Sequence, residues 1–67
     1  MNGKKRYIEL LGASAGVKKA KKDLPKRRIV LFDFKAGRIV ITEDGHQLHL
    51  KLAKQFNLRI KYIKEVN

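Results

Sequence analysis

Apolar residues cluster along this chain in runs whose spacing changes from stretch to stretch, and each spacing predicts an element. From Arg28 to Phe34 the run Ile29, Val30, Leu31 and Phe32 is β-branched or bulky and predicts a strand. Arg38 to Thr42 predicts its antiparallel partner. The link Lys35-Ala36-Gly37 has the length of a three-residue hairpin loop, with glycine where a left-handed residue is needed. Strict alternation over 28–34 places Ile29 and Leu31 on one face and Val30, Phe32 and Phe34 on the other. A strand apolar on both faces wants cover on both sides.

Leu58 to Lys64 alternates cleanly, with Leu58, Ile60 and Tyr62 on one face and Arg59 and Lys61 on the other. This predicts a strand with one wet side. Between these strands two patterns compete. Asp44-Gly45 followed by Leu48, Leu50 and Leu52 would suit a turn and a third meander strand. The alternative makes Asp44 an N-cap, Gln47 the partner in a capping box, and Gly45 to Phe56 a helix ended by Asn57. Leu48, Leu52 and Phe56, with Ala53 beside them, then share one face, and Leu50 alone is out of phase. Leucine, lysine, alanine and glutamine favour the helix.

The N-terminal stretch is the least decided. Tyr7, Leu10, Leu11, Ala15 and Ala20 fall near helical spacing between Lys5 and Lys22, although Gly12 and Gly16 weaken such a helix. A rival pattern is a strand from Arg6 to Leu11, a Gly-Ala-Ser-Ala-Gly loop and a short basic helix from Val17. Helix formers dominate, so the helix is favoured. Pro25 ends whatever precedes it. The resulting expectation is a single α+β domain of order α-β-β-α-β, with a three- or four-stranded sheet, a central hairpin and one well-formed helix. Residues 1–5 are expected to be flexible, and 18–28 to be a basic arm or helix end.

Composition narrows the function. With 67 residues there is room for one thin-cored domain and none for a two-domain enzyme. There is no cysteine, hence no disulfide or thiolate metal site, which suits a reducing cytoplasm. No secretory leader is apparent, and no apolar run is long enough for a membrane span. Seventeen Lys and Arg oppose six Asp and Glu, a net charge of +11. Ten basic and two acidic residues lie in 1–28, so the excess is concentrated there. So much self-repulsion in so small a chain points to an anionic partner.

Lys18, Lys19, Lys21, Lys22, Lys26, Arg27 and Arg28 put seven cations into eleven residues. Clustered cations turn the release of counterions from a polyphosphate into affinity. Lysine suits phosphate contact more than base reading. These seven, helped by Arg38, Arg59 and Lys61, are the candidate nucleic-acid contacts. Lys51, Lys54 and Lys64 could extend the surface or serve solubility alone. Phe32, Phe34 and Tyr62 are expected in the core rather than as stacking platforms for bases. Because no stacking surface is visible, duplex DNA is slightly favoured over RNA.

His46 and His49 stand three apart after Glu43 and Asp44. They lack further ligands for a metal, and as an acid–base pair they would suit a small toxin-like ribonuclease. Two polar residues on an exposed helix turn is the favoured reading. Gly12 to Lys18 fails as a phosphate loop: three residues, not four, separate the glycines, and Val17 intervenes before Lys18. Close packing or a flexible loop explains the small residues better.

The expected protein is therefore a small basic nucleic-acid-binding protein with no catalytic site, cofactor or metal. An interaction or inhibitor module that docks an acidic protein surface is the alternative. A membrane partner is not expected, because the basic segment lacks the apolar face of an interfacial helix. A homodimer is expected, because one helix cannot cover both apolar faces of the hairpin and two-fold dimers are the commonest solution. Phe32 or Val40 would lie at or near the buried face.

Overall fold

A computed structural model of the chain describes residues 6–43 and 48–64. In chain order the elements are β1 (Tyr7–Leu11), α1 (Ser14–Asp23), a 3-10 turn (Lys26–Arg28), β2 (Ile29–Asp33), β3 (Arg38–Thr42), α2 (Leu48–Gln55) and β4 (Arg59–Ile63). The expected α+β class holds, with one element more at the start: the order is β-α-β-β-α-β. The four strands form one antiparallel sheet in the order β2-β3-β1-β4. Each helix thus connects two strands that do not pair, with a third strand between them. This is the split β-α-β arrangement used twice, the topology called ferredoxin-like. It fixes no function by itself.

The helix expected from Lys5 to Lys22 is overturned, because its first half is the strand β1. Ile8 and Leu10 are fully buried on one face of the sheet, with Glu9 on the other. Period two therefore wins over the weaker helical spacing, because β1 is a central strand paired on both edges. The helix begins at Ser14, before Val17, and buries Val17 and Ala20.

Register assigns the faces. Ile8, Leu10, Ile39, Ile41 and Ile60 lie on one side and pack with Val17, Ala20 and Leu24 and with Leu52, Ala53 and Leu58. Both helices therefore cover the same face. The other face carries three cross-strand rows: Asp33–Arg38–Leu11–Arg59, Leu31–Val40–Glu9–Lys61 and Thr42–Tyr7–Ile63. The alternation expected along β4 is observed. That expected along β2 is not, because a β-bulge interrupts its pairing with β3 between Ile29 and Leu31. Ile29 and Phe32 end on the helix side and Leu31 on the open side. An extra residue on one strand shifts the phase of everything after it.

Two glycines hold one end of the domain together. Gly37 closes the β2–β3 turn at φ 66°, and its N–H donates to the Phe34 carbonyl at 3.1 Å. The loop spans 34–37, one residue longer than expected, and Gly37 is the left-handed residue. Its carbonyl accepts the Gly12 N–H at 2.9 Å. A Cβ on Gly12 would stand 2.5 Å from the Leu58 side chain, and one on Gly16 3.1 Å from the Phe56 carbonyl. Gly12 and Gly16 thus serve close packing, while Ala13 and Ala15 between them are exposed.

The second helix confirms its expected end. Asn57 adopts φ 56°, and the Leu58 N–H donates to the Ala53 carbonyl at 2.7 Å, which is a Schellman closure. Its expected beginning, with Asp44, Gly45, His46 and Gln47, lies outside the described residues, as does the flexibility expected of 1–5.

Candidate nucleic-acid interface

The basic stretch 18–28 is folded rather than a loose arm. Lys18, Lys19, Lys21 and Lys22 are exposed on α1, whose other side is held by Val17 and Ala20. Helical spacing keeps Lys18, Lys21 and Lys22 together. Leu24 is buried, and the turn that follows exposes Lys26 and Arg27. Asp23 is the sole acid in this stretch. Lys21 and Lys22 lie in the last turn of α1, where cations also complement the helix dipole. Lys51 and Lys54 are exposed on α2, on the same side of the sheet. Eight accessible cations therefore belong to the helical side of the domain or continue from the end of α1.

The other candidates divide. Arg28 is 4% exposed, and its guanidinium donates to the Thr42 carbonyl at 2.9 Å. It ties the turn before β2 to the end of β3, so the expectation that it contacts phosphate is corrected. Arg38 donates through Nε to the Glu9 carboxylate on the open sheet face. Arg59 and Lys61 are exposed on that same face. The sheet separates these three from α1, so one straight polyanion cannot touch both groups at once. Sequence spacing carried no hint of this division, because it depends on which sheet face the helices take.

Two further expectations are corrected. His49 is buried, not part of an exposed turn, because it falls in phase with Leu52 and Ala53 on the inner side of α2. Its Nε2 lies 3.2 Å from the Tyr62 hydroxyl, and the two rings meet edge to face. His46 lies outside the described residues, so the pairing of the two histidines has no structural description. The aromatic residues, expected in the core, are not all there: Phe34 is 48% exposed and Tyr62 53%, while Phe32 is half-buried against the core. Phe34 escapes because it begins the turn rather than ending the strand. Tyr62 lies on the helix side of the sheet, but on an edge strand.

Among the described residues, no helix is long and apolar enough to cross a membrane, and no group of three or more His, Asp or Glu is placed to hold a metal ion. Comparison of the chain with protein-family models, with curated proteins and with solved structures found no match.

Proposed function

We propose that this chain is a small basic nucleic-acid-binding protein that grips phosphates with its helical side. The observation that carries this reading is the run of exposed cations Lys18, Lys19, Lys21, Lys22, Lys26 and Arg27, held on an ordered helix and turn with one acid among them. An ordered array loses less entropy on binding than a disordered arm. Its spacing along one side suits a row of phosphates, and it supplies affinity without sequence reading. Lys51 and Lys54 extend the same side. The preference for duplex DNA rested on the lack of an exposed aromatic, and the exposure of Phe34 removes that ground.

Binding to duplex DNA, single-stranded DNA and RNA across a salt series tests the proposal. About five phosphate contacts on a duplex predict a slope of log affinity against log salt near −4 to −5. Reversal of Lys18, Lys19, Lys21 and Lys22 to glutamate is expected to weaken binding by orders of magnitude. Unchanged binding after that reversal would remove α1 from the interface. The same reversal at Arg59 and Lys61 reads the open face; a larger loss there would move the interface to the sheet. Salt-dependent capture of an acidic protein, with no polynucleotide bound, would favour the docking-module alternative.

The homodimer belongs to the same proposal on altered grounds. Both helices cover one face, and the other carries Leu11, Leu31 and Ile63 among charged neighbours. Val40 has no exposed surface within the single chain, so Leu31 and Leu11 replace it as the groups a partner copy would cover.

A further inference from the structure

Where α1 meets the edge strand β2, two phenylalanines and two lysines stand together. The rings of Phe32 and Phe34 are 6.5 Å apart, inclined at 47°. Lys21 Nζ lies 4.7 Å from the centre of the Phe32 ring, and Lys18 Nζ 5.9 Å from that of Phe34. Phe34 is 48% exposed, and Val30 on the same edge strand is 43% exposed. A single exposed apolar side chain is ordinary and needs no explanation. This ring stands beside a second ring and two ammonium groups, at the end of the cationic run of α1.

We infer that the Phe34 ring, with Lys18 and Lys21 beside it, is a docking site for an unpaired base of a single nucleic-acid strand. The inference rests on the phosphate-binding reading of α1 and specifies the strand state it serves. A base stacks on an aromatic face whatever its identity, and each base carries a phosphate one sugar away. The site offers both complements: a ring for the base and ammonium groups for the phosphate. In a duplex each base already stacks on its neighbours, so Phe34 has nothing to receive. Lys18, at the far limit of a cation–π contact, gives up little when it turns from the ring to a phosphate.

The test compares oligo(dT) with an abasic oligonucleotide of equal length, which keeps the phosphates and removes the bases. The wild-type protein is expected to bind oligo(dT) about 5- to 160-fold more tightly, the range for one aromatic–base stack. Phe34→Ala is expected to close that gap. Phe34→Trp is expected to preserve it and, in a chain without tryptophan, to give an emission quenched by oligo(dT) and not by the abasic strand. Phe34 is exposed and its backbone carbonyl bond to Gly37 survives either change, so circular dichroism should match wild type. Equal wild-type affinity for both oligonucleotides overturns the stacking site and leaves phosphate binding standing. Binding to neither overturns both.

Discussion

Glu9 and Arg38, on the two central strands, are ion-paired on the sheet face turned away from both helices. They are diagonal neighbours, since Glu9 stands opposite Val40 and Arg38 opposite Leu11. Glu9 also faces Lys61 of β4. One carboxylate among these cations answers part of the charge of the open face and ties Arg38 to the fold. Breaking a buried pair leaves the other charge without its partner, but both side chains keep some exposure, so the cost is about 2 kcal/mol rather than more. Arg38→Leu or Glu9→Leu is expected to lose that amount in urea unfolding, and the double variant less than the sum. Strictly additive losses would show that the pair contributes no coupling. Polynucleotide affinity of the folded Arg38→Leu protein is expected to stay within a few-fold of wild type.

Gly37 and Asn57 are both left-handed, but for different neighbours. A Cβ at Gly37 would overlap the Gly12 carbonyl oxygen, so Gly37→Asn is expected to be as damaging as Gly37→Ala despite asparagine's tolerance of positive φ. Either change is expected to cost more than about 3 kcal/mol or to prevent folding. Asn57 is exposed, and Asn57→Gly is expected to be neutral or stabilising. Thermal unfolding of the four proteins checks this, and a well-folded Gly37→Asn would refute the overlap.

Ala13 occupies the N-cap position of α1 with φ −61° and ψ 140°, and makes no side-chain cap hydrogen bond. Ala13→Asp keeps this backbone, adds an acceptor for the first-turn N–H groups and places a negative charge at the positive end of the helix dipole. A gain of about 1 kcal/mol is expected, which for a domain this small raises Tm by roughly 4–8 °C. An unchanged Tm would mean that water already satisfies those donors equally well.

His49 is expected to serve stability. Tyr62→Phe removes the hydroxyl 3.2 Å from its Nε2 and should cost about 1 kcal/mol. His49→Gln is expected to destabilise the fold while leaving polynucleotide affinity near pH 7.5 within a few-fold. RNA cleavage by the wild-type protein that His49→Gln abolishes, with the fold intact, would establish a catalytic role instead.

Sedimentation equilibrium at micromolar concentration and moderate salt is expected to give twice the chain mass of 7.7 kDa. Leu31→Lys on the open face is expected to return the monomer. A wild-type mass of one chain, with a thermal transition independent of concentration, would show that the open face needs no cover.

The hairpin, β4 and α2 were legible because each carries a local signal strong enough to decide it. Gly37 marks the turn, Arg59 and Lys61 alternate with Leu58, Ile60 and Tyr62, and Asn57 caps a run of helix formers. Tyr7–Leu11 was not legible, because its residues suit either a strand or one side of a helix. The accessible part of the proposed interface was legible as charge: Lys18 to Arg27 is basic whatever its fold. The burial of Arg28 and His49 was not, since composition cannot tell a guanidinium at the surface from one tied to the Thr42 carbonyl.

By itself, then, the sequence determined the class of domain, the turn at Gly37, the stop at Asn57 and the cationic segment, all of which depend on residues near one another in the chain. Pairing between distant strands decided the rest. Placing Tyr7–Leu11 between β3 and β4 made it a strand, because two partners satisfy its backbone groups and bury Ile8 and Leu10. The bulge in β2 reassigned its faces. The shared side of the two helices put Lys18–Arg27 on one surface and Arg38, Arg59 and Lys61 on the opposite one. Long-range contacts outweigh local propensity here because each element is too short to be stable alone, so its conformation is settled by what it packs against.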